Sequence, residues 1–220
     1  MDTPTTCPPS YTSSKRRNKH HLIYNISKVE NPVENHPWLP FLPEGTRMVM
    51  LGSFPPARHR WAMDFFYPNY INDMWRIFGL CLHDDKDWFV DEERRTFRLD
   101  DIKAMLTEMG IGLYDTAVKV RRTRNTASDK DLEVLQPTDI DALLRKAPLC
   151  HIVVTTGQKA TDILTEHFNI PSPKVGSYTS FGFEGRQLRL YRMPSSSRAY
   201  PLPLKKKAEC YMQLFELLKP

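Results

Sequence analysis

From residue 46 onward, short apolar runs alternate with amphipathic helical segments, and this alternation constrains the fold more than any other feature of the sequence. The apolar runs typical of buried strands are residues 47–52, 111–116 and 151–156. Apolar residues recur at helical spacing in residues 72–80, 99–109, 138–147, 157–168 and 205–219. Strands that alternate with helices predict a mostly parallel sheet with right-handed crossovers.

A fourth strand is predicted near the end of the chain. Residues 178–194 contain two extended runs that meet at Glu184-Gly185, a combination that favours a β-hairpin. The run that ends before Pro194 supplies the fourth strand. The sequence therefore predicts an α/β protein with three α/β/α layers around a central, mostly parallel four-stranded sheet. Asn72 and Thr138 precede two of the helical segments and are predicted to cap them.

The first part of the chain has a different composition. Residues 1–36 are rich in Pro, Ser, Thr and Asn and have no sustained period, which predicts a flexible, basic N-terminal tail. Residues 37–220 are predicted to form one domain, since this length suits a single core. No run of ~18 apolar residues is present, and no secretory signal is recognisable. We therefore expect no membrane association and a cytoplasmic location, and we expect a monomer.

Cysteine spacing argues against a metal site. Cys7, Cys81, Cys150 and Cys210 lie far apart, without a CxxC pair or a Cys/His spacing typical of metal ligands. We therefore expect reduced thiols and no metal or other cofactor.

The net charge of +5 is unevenly distributed. Basic tracts occur at residues 14–21 (SKRRNKHH), 119–125 (KVRRTRN) and 204–207 (LKKK). Clustered basic groups favour a polyanionic partner, although each tract alone is also compatible with a solvated surface.

In open α/β sheets, ligands usually bind at the loops that follow the carboxyl ends of the strands. This rule selects four places in the sequence: residues 52–56 (GSFPP), residues 115–116, residues 155–157 and residues 194–200. The first and last of these are rich in proline and small polar residues, so they could present backbone N–H groups and hydroxyls to phosphates.

Three segments together resemble the uracil-DNA glycosylase superfamily, most closely its hypoxanthine-DNA glycosylase branch. They are GSFPP at 52–56, FFYPNYINDMW at 65–75 and MPSSSRAY at 193–200. The resemblance covers roughly residues 37–219 and implies the same three-layer fold. It also implies a monofunctional DNA glycosylase of base excision repair, which hydrolyses the N-glycosidic bond of a deaminated base, hypoxanthine or uracil. Such enzymes act on DNA containing a damaged or mispaired base, flip that base out of the duplex, and need no metal.

Two positions depart from the commonest pattern of this superfamily. Phe54 stands where most members carry an Asp or Asn that positions water, and phenylalanine cannot do this. In the hypoxanthine branch the catalytic amide lies further along the chain, and the resemblance implies that Asn72 is the corresponding residue. Asn72 could equally be only a helix cap, and Asn69 is the second candidate. Met193 stands where many members carry a donor to the leaving base, and methionine cannot donate a hydrogen bond.

The remaining site residues follow from the same resemblance. The base pocket is predicted from Gly52, Ser53, Phe54, Pro55, Phe66 and Asp115. The DNA-binding loop is predicted from Pro194, Ser195, Ser196, Ser197 and Arg198, with Tyr200 as a further candidate. A carboxylate at position 115 could accept N1–H of hypoxanthine or N3–H of uracil. Each of these assignments has an alternative. Asp115 could serve only in a helix cap or local turn, and the aromatic residues could belong to the core. The serine-rich loop could be an ordinary surface turn.

Two other functions remain open at this point. The first is a catalytically inactive DNA-binding module of the same fold, in which Phe54 and Met193 have removed the chemistry. The second is a nucleoside hydrolase, which would not need the basic tracts. The three consecutive serines do not indicate a serine nucleophile, because no G-x-S-x-G motif surrounds them.

Overall fold

The computed structural model describes residues 31–124 and 129–219. The helices are α1 (Met74–His83), α2 (Leu99–Met109), α3 (Ile140–Arg145), α4 (Gln158–His167) and α5 (Leu204–Leu218). The strands are β1 (Val33–Asn35), β2 (Met48–Gly52), β3 (Val90–Asp91), β4 (Thr96–Phe97), β5 (Ile111–Asp115), β6 (Ala117–Arg122), β7 (Leu132–Pro137), β8 (Ile152–Thr155), β9 (Ser177–Phe183) and β10 (Arg186–Arg192).

The central sheet has five strands in the order β5-β2-β8-β10-β9. The first four are parallel to one another, and β9 pairs antiparallel with β10 along all of its residues. The prediction of a mostly parallel α/β sheet is confirmed, but the predicted count of four strands is wrong. The fifth strand is the first arm of the hairpin at Glu184-Gly185. Because both of these turn residues have positive φ, the chain reverses tightly and β9 extends the sheet.

Helices cover both faces of this sheet. Every residue of β2, β5 and β8 is buried, as expected for parallel strands packed on both sides. The chain moves in one direction along the sheet from β2 to β5 and in the opposite direction from β5 to β8 and from β8 to β10. Right-handed crossovers therefore place α1 and α2 on one face and α3 and α4 on the other. Helix α5 packs against α1, where the rings of Phe78 and Phe215 lie 5.0 Å apart.

A second, three-stranded antiparallel sheet has the order β1-β6-β7 and was not predicted. Its first strand, Val33–Asn35, lies within the segment predicted to be a flexible tail, yet each of its residues pairs with β6. These residues therefore belong to the folded part of the chain, and residues 1–30 lie outside the described residues. Residues 119–122 of the basic tract belong to β6, in which Ala117, Val120 and Arg122 are buried. The basic side chains of Lys119, Arg121 and Arg122 concealed this strand in the sequence.

Two helix caps differ from the predictions. Asp139, not Thr138, caps α3 and accepts a hydrogen bond from the backbone N–H of Ala142. Thr138 instead donates its hydroxyl to the carbonyl oxygen of Asp115 over 2.6 Å. Asp73 occupies the N-cap position of α1, but the side chain of Asn72 accepts the N–H of Met74 over 2.9 Å. Among the described residues, no helix is long and apolar enough to cross a membrane.

Candidate functional site at the carboxyl edge of the sheet

The loops after β2, β5, β8 and β10 meet at one edge of the central sheet, because these four strands are parallel. Backbone hydrogen bonds hold the strand ends together just beyond the last paired residues. The backbone N–H groups of Thr116, Thr156 and Met193 each donate to a carbonyl oxygen on the neighbouring strand. These carbonyl oxygens belong to Gly52, Leu51 and Thr155, respectively. The four places selected from the sequence are thus brought to one edge.

Gly52 and Asp115 are neighbours at the centre of this edge. They are paired across β2 and β5, and a Cβ atom added to Gly52 would lie only 2.4 Å from Oδ1 of Asp115. Glycine is therefore required here for steric reasons, because any side chain would push the carboxylate away. Asp115 itself is only 6% exposed.

Tyr67 brings a hydroxyl to the same point. Its backbone has a φ of 52°, in the left-handed region that non-glycine residues rarely adopt. The hydroxyl oxygen lies 3.1 Å from Oγ1 of Thr156 and near Gly52. Burial and the negative charge of Asp115 raise the pKa of Tyr67, and the hydrogen bond to Thr156 opposes this effect. The phenol therefore stays neutral and can donate a hydrogen bond.

His36 forms a buried pair with Asp115. Its Nε2 lies 2.9 Å from Oδ2 of Asp115, and its side chain is only 2% exposed. Its Nδ1 lies 2.8 Å from the carbonyl oxygen of Trp38. Oδ2 of Asp115 is therefore occupied, whereas Oδ1, on the side of Gly52, makes no hydrogen bond to the described residues.

Aromatic rings enclose the imidazole of His36. Their centroids lie 4.7 Å from it for Tyr114, 5.4 Å for Phe54, 5.8 Å for Trp38 and 6.1 Å for Phe66. Burial, and after it the charge of Asp115, raise the pKa of Tyr114, so this ring is also neutral. The enclosure keeps water from the histidine and strengthens its interaction with the carboxylate.

The predicted pocket residues in the loop after β2 have different environments. Phe54 is half-buried, lies beside His36 and packs on the small β1-β6-β7 sheet. Phe66 is 2% exposed and packs among aromatic rings, so in this structure it is part of the core. Pro55 is buried, and its carbonyl oxygen accepts from Nη2 of Arg122 over 2.6 Å. Ser53 is half-buried next to Gly52.

Asn72 lies at the start of α1 and is half-buried. Its side-chain oxygen performs the capping role, but a carbonyl oxygen has a second lone pair that can accept from water. Asn69 makes a similar local contact, because its side-chain oxygen accepts the N–H of Ile71 over 3.1 Å. Arg76 fixes the backbone of this segment as well, since it is buried and donates to the carbonyl oxygens of Tyr70 and Asn72.

The serine-rich loop is attached directly to the start of α1. The N–H of Asp73 donates to the carbonyl oxygen of Ser196 over 2.9 Å. Lys207 of α5 is completely buried, and its Nζ lies 2.9 Å from Oδ2 of Asp73 and 2.7 Å from the carbonyl oxygen of Ser197. Tyr211, also on α5, donates its hydroxyl to the carbonyl oxygen of Pro194. This loop therefore has a fixed position beside Asn72.

The side chains of the serine loop differ in exposure. Ser196 is buried, Ser195 is half-buried, and Ser197 and Arg198 are exposed. Arg198 lies 3.4 Å from Oδ1 of Asp73. Met193 is 1% exposed and lies at the end of β10 as an apolar residue.

The basic tracts are less available than the sequence suggested. Lys207 is buried in an ion pair, and Arg122 lies 2.7 Å from Glu34. Arg121 pairs with Glu133, and Arg124 pairs with Asp131. The tract at 14–21 lies outside the described residues.

Within residues 31–124 and 129–219, no group of three or more His, Cys, Asp or Glu side chains could hold a metal ion. Cys81, Cys150 and Cys210 are free thiols. Burial raises the pKa of Cys81 to about 12 and that of Cys150 to about 11, so both remain protonated near neutral pH.

Sequence reasoning missed His36, Trp38, Tyr67 and Tyr114 as residues of the site. The predicted tail ends at His36, and the sequence assigns no role to Trp38, Tyr67 or Tyr114. The one signal in the sequence was the aromatic-rich stretch HPWLPF at residues 36–41, which begins at the last residue of the predicted tail and is unusually apolar for a flexible segment.

No protein-family model and no curated protein matches this chain. Among solved structures, 26 chains match. One is the solution NMR structure of a protein from Methanosarcina acetivorans described as a "putative Uracil DNA glycosylase". It is 19% identical, has a TM-score of 0.55, and the match covers 85% of this chain and 99% of that chain. The similarity at this identity establishes a shared α/β fold.

Proposed function

We propose that this protein is a monofunctional DNA glycosylase that releases a deaminated base from DNA by hydrolysis. The observation that carries the proposal is the position of Asp115, which is buried at the strand ends with one carboxylate oxygen held by His36 and the other directed toward Gly52. A half-buried amide, Asn72, and a fixed serine-rich loop lie at the same edge. The fold shared with the Methanosarcina acetivorans protein supports the same class of reaction.

Asp115 would read the base after the nucleotide has left the stack. A carboxylate oxygen accepts N1–H of hypoxanthine or N3–H of uracil, whereas adenine and cytosine carry no hydrogen at the corresponding nitrogens. The neutral hydroxyl of Tyr67 lies near Gly52 and could donate to a carbonyl oxygen of the same base. Deamination gives a base an N–H group beside a C=O group. The Asp115 carboxylate can accept from this N–H, and the Tyr67 hydroxyl can donate to this C=O.

Asn72 would position the attacking water. In the reaction, the bond between C1′ and the base nitrogen breaks and its electron pair leaves on the base. A new bond forms from the water oxygen to C1′, and the proton released by that water is balanced by solvent protonation of the base. The second lone pair of the Asn72 oxygen can orient the water, while the first keeps the start of α1 capped.

The serine-rich loop would bind the DNA backbone. Ser197 and Arg198 are exposed, and the anchoring of this loop by Lys207 and Tyr211 holds its backbone rigid. Hydroxyls, backbone N–H groups and an arginine are common partners of phosphate oxygens. The apolar Met193 favours the hypoxanthine branch over the uracil branch, because the resemblance implies an apolar residue here in the hypoxanthine branch and a hydrogen-bond donor in the efficient uracil enzymes.

The proposal is tested with duplex and single-stranded oligonucleotides that contain hypoxanthine, uracil or mismatched thymine. Release of the base leaves an abasic site, which alkali cleaves. We expect cleavage at hypoxanthine to be the fastest of the three. Duplex binding without cleavage of any substrate would instead support an inactive DNA-binding module, and turnover of free nucleosides would support a nucleoside hydrolase.

The role of Asn72 is tested by comparing Asn72→Ala with Asn69→Ala. Each substitution removes one side-chain oxygen that accepts a single backbone N–H in the same segment, so the structural costs are similar. We expect Asn72→Ala to slow single-turnover base release by about 10²–10³-fold, the typical cost of removing one transition-state contact, with duplex binding retained. A wild-type rate for Asn72→Ala would remove Asn72 from the mechanism, and slow release confined to Asn69→Ala would transfer the role to Asn69.

A further inference from the structure

The buried pair of His36 and Asp115 has a feature that base recognition alone does not explain. Both ring nitrogens of His36 are engaged, Nε2 by Asp115 and Nδ1 by the backbone of Trp38. With its side chain only 2% exposed, the imidazole has no nitrogen left for a substrate. Any influence of His36 on the reaction must therefore act through Asp115.

The backbone of Trp38 can accommodate both protonation states of the imidazole. Its carbonyl oxygen lies 2.8 Å from Nδ1 and its amide nitrogen lies 3.2 Å from the same atom. A protonated Nδ1 can donate to the carbonyl, and a neutral Nδ1 can accept from the amide. In both states Nε2 donates to Asp115. Proton uptake thus changes the net charge of the pair from −1 to 0 without breaking this bond.

The charge of the pair matters because the departing base becomes negative. A carboxylate that accepts an N–H from the base would repel this developing charge, and the aromatic rings around the pair reduce the screening by water. Met193, at the end of β10, offers no donor to offset the repulsion. A positive imidazole beside Asp115 does offset it.

We propose that His36 is a positioning residue whose imidazolium form neutralises Asp115 while the base bound to that carboxylate departs. This inference rests on the proposed glycosylase function. The titratable groups that face the pair are Tyr114 beside the imidazole and Tyr67 beside the carboxylate, and both phenols are neutral. Glu34 on β1 and Arg122 on β6 pair with each other near Phe54.

The test measures single-turnover base release against pH for the full-length protein and its His36→Gln variant. Glutamine keeps a donor for Asp115 but cannot become positive. We expect the wild-type rate to fall as the imidazolium loses its proton, and His36→Gln to lack this fall and to be about tenfold slower at the acidic end, within the range for residues in direct contact. Identical pH profiles for the two proteins would overturn the inference.

The chain supplies a matched control in its second His–Asp pair. His167 and Asp141 lie 2.8 Å apart, but both side chains are 39% exposed, so that solvent screens this pair. His167→Gln should leave the pH profile unchanged. In an Asp115→Asn background there is no carboxylate charge to offset, so adding His36→Gln should then change the rate by less than about twofold, the spread expected for uncoupled substitutions. An undiminished tenfold effect of His36→Gln in that background contradicts the inference.

A measurement without substrate separates this inference from the proposed function. The imidazole of His36 can be titrated by NMR in the wild type and in Asp115→Asn. We expect its midpoint to fall in the variant, because the neutral amide no longer stabilises the cation. Equal midpoints would overturn the inference even in an active enzyme. A shifted midpoint in a protein that releases no base from any oligonucleotide would instead refute the glycosylase function, and the catalytic role of His36 with it.

Discussion

Two buried aspartates lie at the same edge of the central sheet, and their surroundings assign them different tasks. Asp73 has Lys207 at one carboxylate oxygen and Arg198 at the other. Asp115 has His36 at one oxygen, while the other faces the space above Gly52. A carboxylate with both oxygens bound to cations joins elements of the fold. A carboxylate with one unoccupied oxygen can still bind a ligand.

The difference between the two pairs lies in the chain segments that they join. Lys207 connects α5 to the start of α1 and to the serine-rich loop, so the pair sets the distance between two loops of the site. His36 connects the short strand β1 to the end of β5, so its pair sets the orientation of a single side chain. The first pair should therefore matter most for stability, and the second for the reaction.

The largest effect is expected for Lys207→Met, which leaves Asp73 buried without its main partner. Removing one member of a buried ion pair typically costs about 3–5 kcal/mol, and we expect a loss of this size in the free energy of unfolding measured with urea. Lys206→Met is the matched control, because Lys206 is exposed and pairs with Glu209 one turn away. Wild-type stability in Lys207→Met would show that the two pairs do not differ as described.

Gly52→Ala tests the Asp115 side of the comparison. The new Cβ would lie 2.4 Å from Oδ1, so the carboxylate must move, and a displacement of about 1 Å in a catalytic site can cost about 10²-fold in rate. We expect base release to slow by that factor, with a loss of about 1–3 kcal/mol in the free energy of unfolding, which is smaller than that expected for Lys207→Met. Gly182→Ala, which has no atom within 4 Å of its added Cβ, is the control. An active Gly52→Ala enzyme would argue against base reading by Asp115.

Two deletions sharpen the comparison at the N-terminus. Removing residues 1–30 should weaken duplex binding and leave base preference unchanged. The slope of log binding constant against log salt concentration should become shallower, by about 0.9 for each phosphate that the deleted segment neutralises. Removing residues 1–36 should also slow base release, because it deletes β1 and His36. Salt titrations and single-turnover assays on one lesion-containing duplex measure both effects. If both truncated proteins release the base equally fast, His36 has no role in the reaction.

The smallest effect is expected from metal removal. The described residues offer no cluster of metal ligands, and the proposed mechanism uses an amide, a carboxylate and water. Activity after dialysis against EDTA should equal that of the untreated protein. Loss of activity that is restored by one divalent metal would contradict this mechanism.

Much of the central sheet was predictable, because the residues that build it carry strong local patterns. Residues 47–52, 111–116 and 151–156 are mostly apolar, and the strands lie within them. Helix α2 has the predicted bounds of 99–109, since its apolar face is regular and Gly110 ends it with a positive φ. The fifth strand was miscounted because a hairpin signal does not say whether both arms join the same sheet.

The sequence alone determined the parallel sheet, the order of its helices and the four loops at its carboxyl edge, because strand and helix periodicities are local properties. Only the tertiary structure placed His36 against Asp115 and Lys207 against Asp73, across 79 and 134 residues of chain. Histidines, lysines and aspartates look alike in any polar stretch. Whether such a residue is paired and buried depends on which distant segment packs against it, and no local pattern records that.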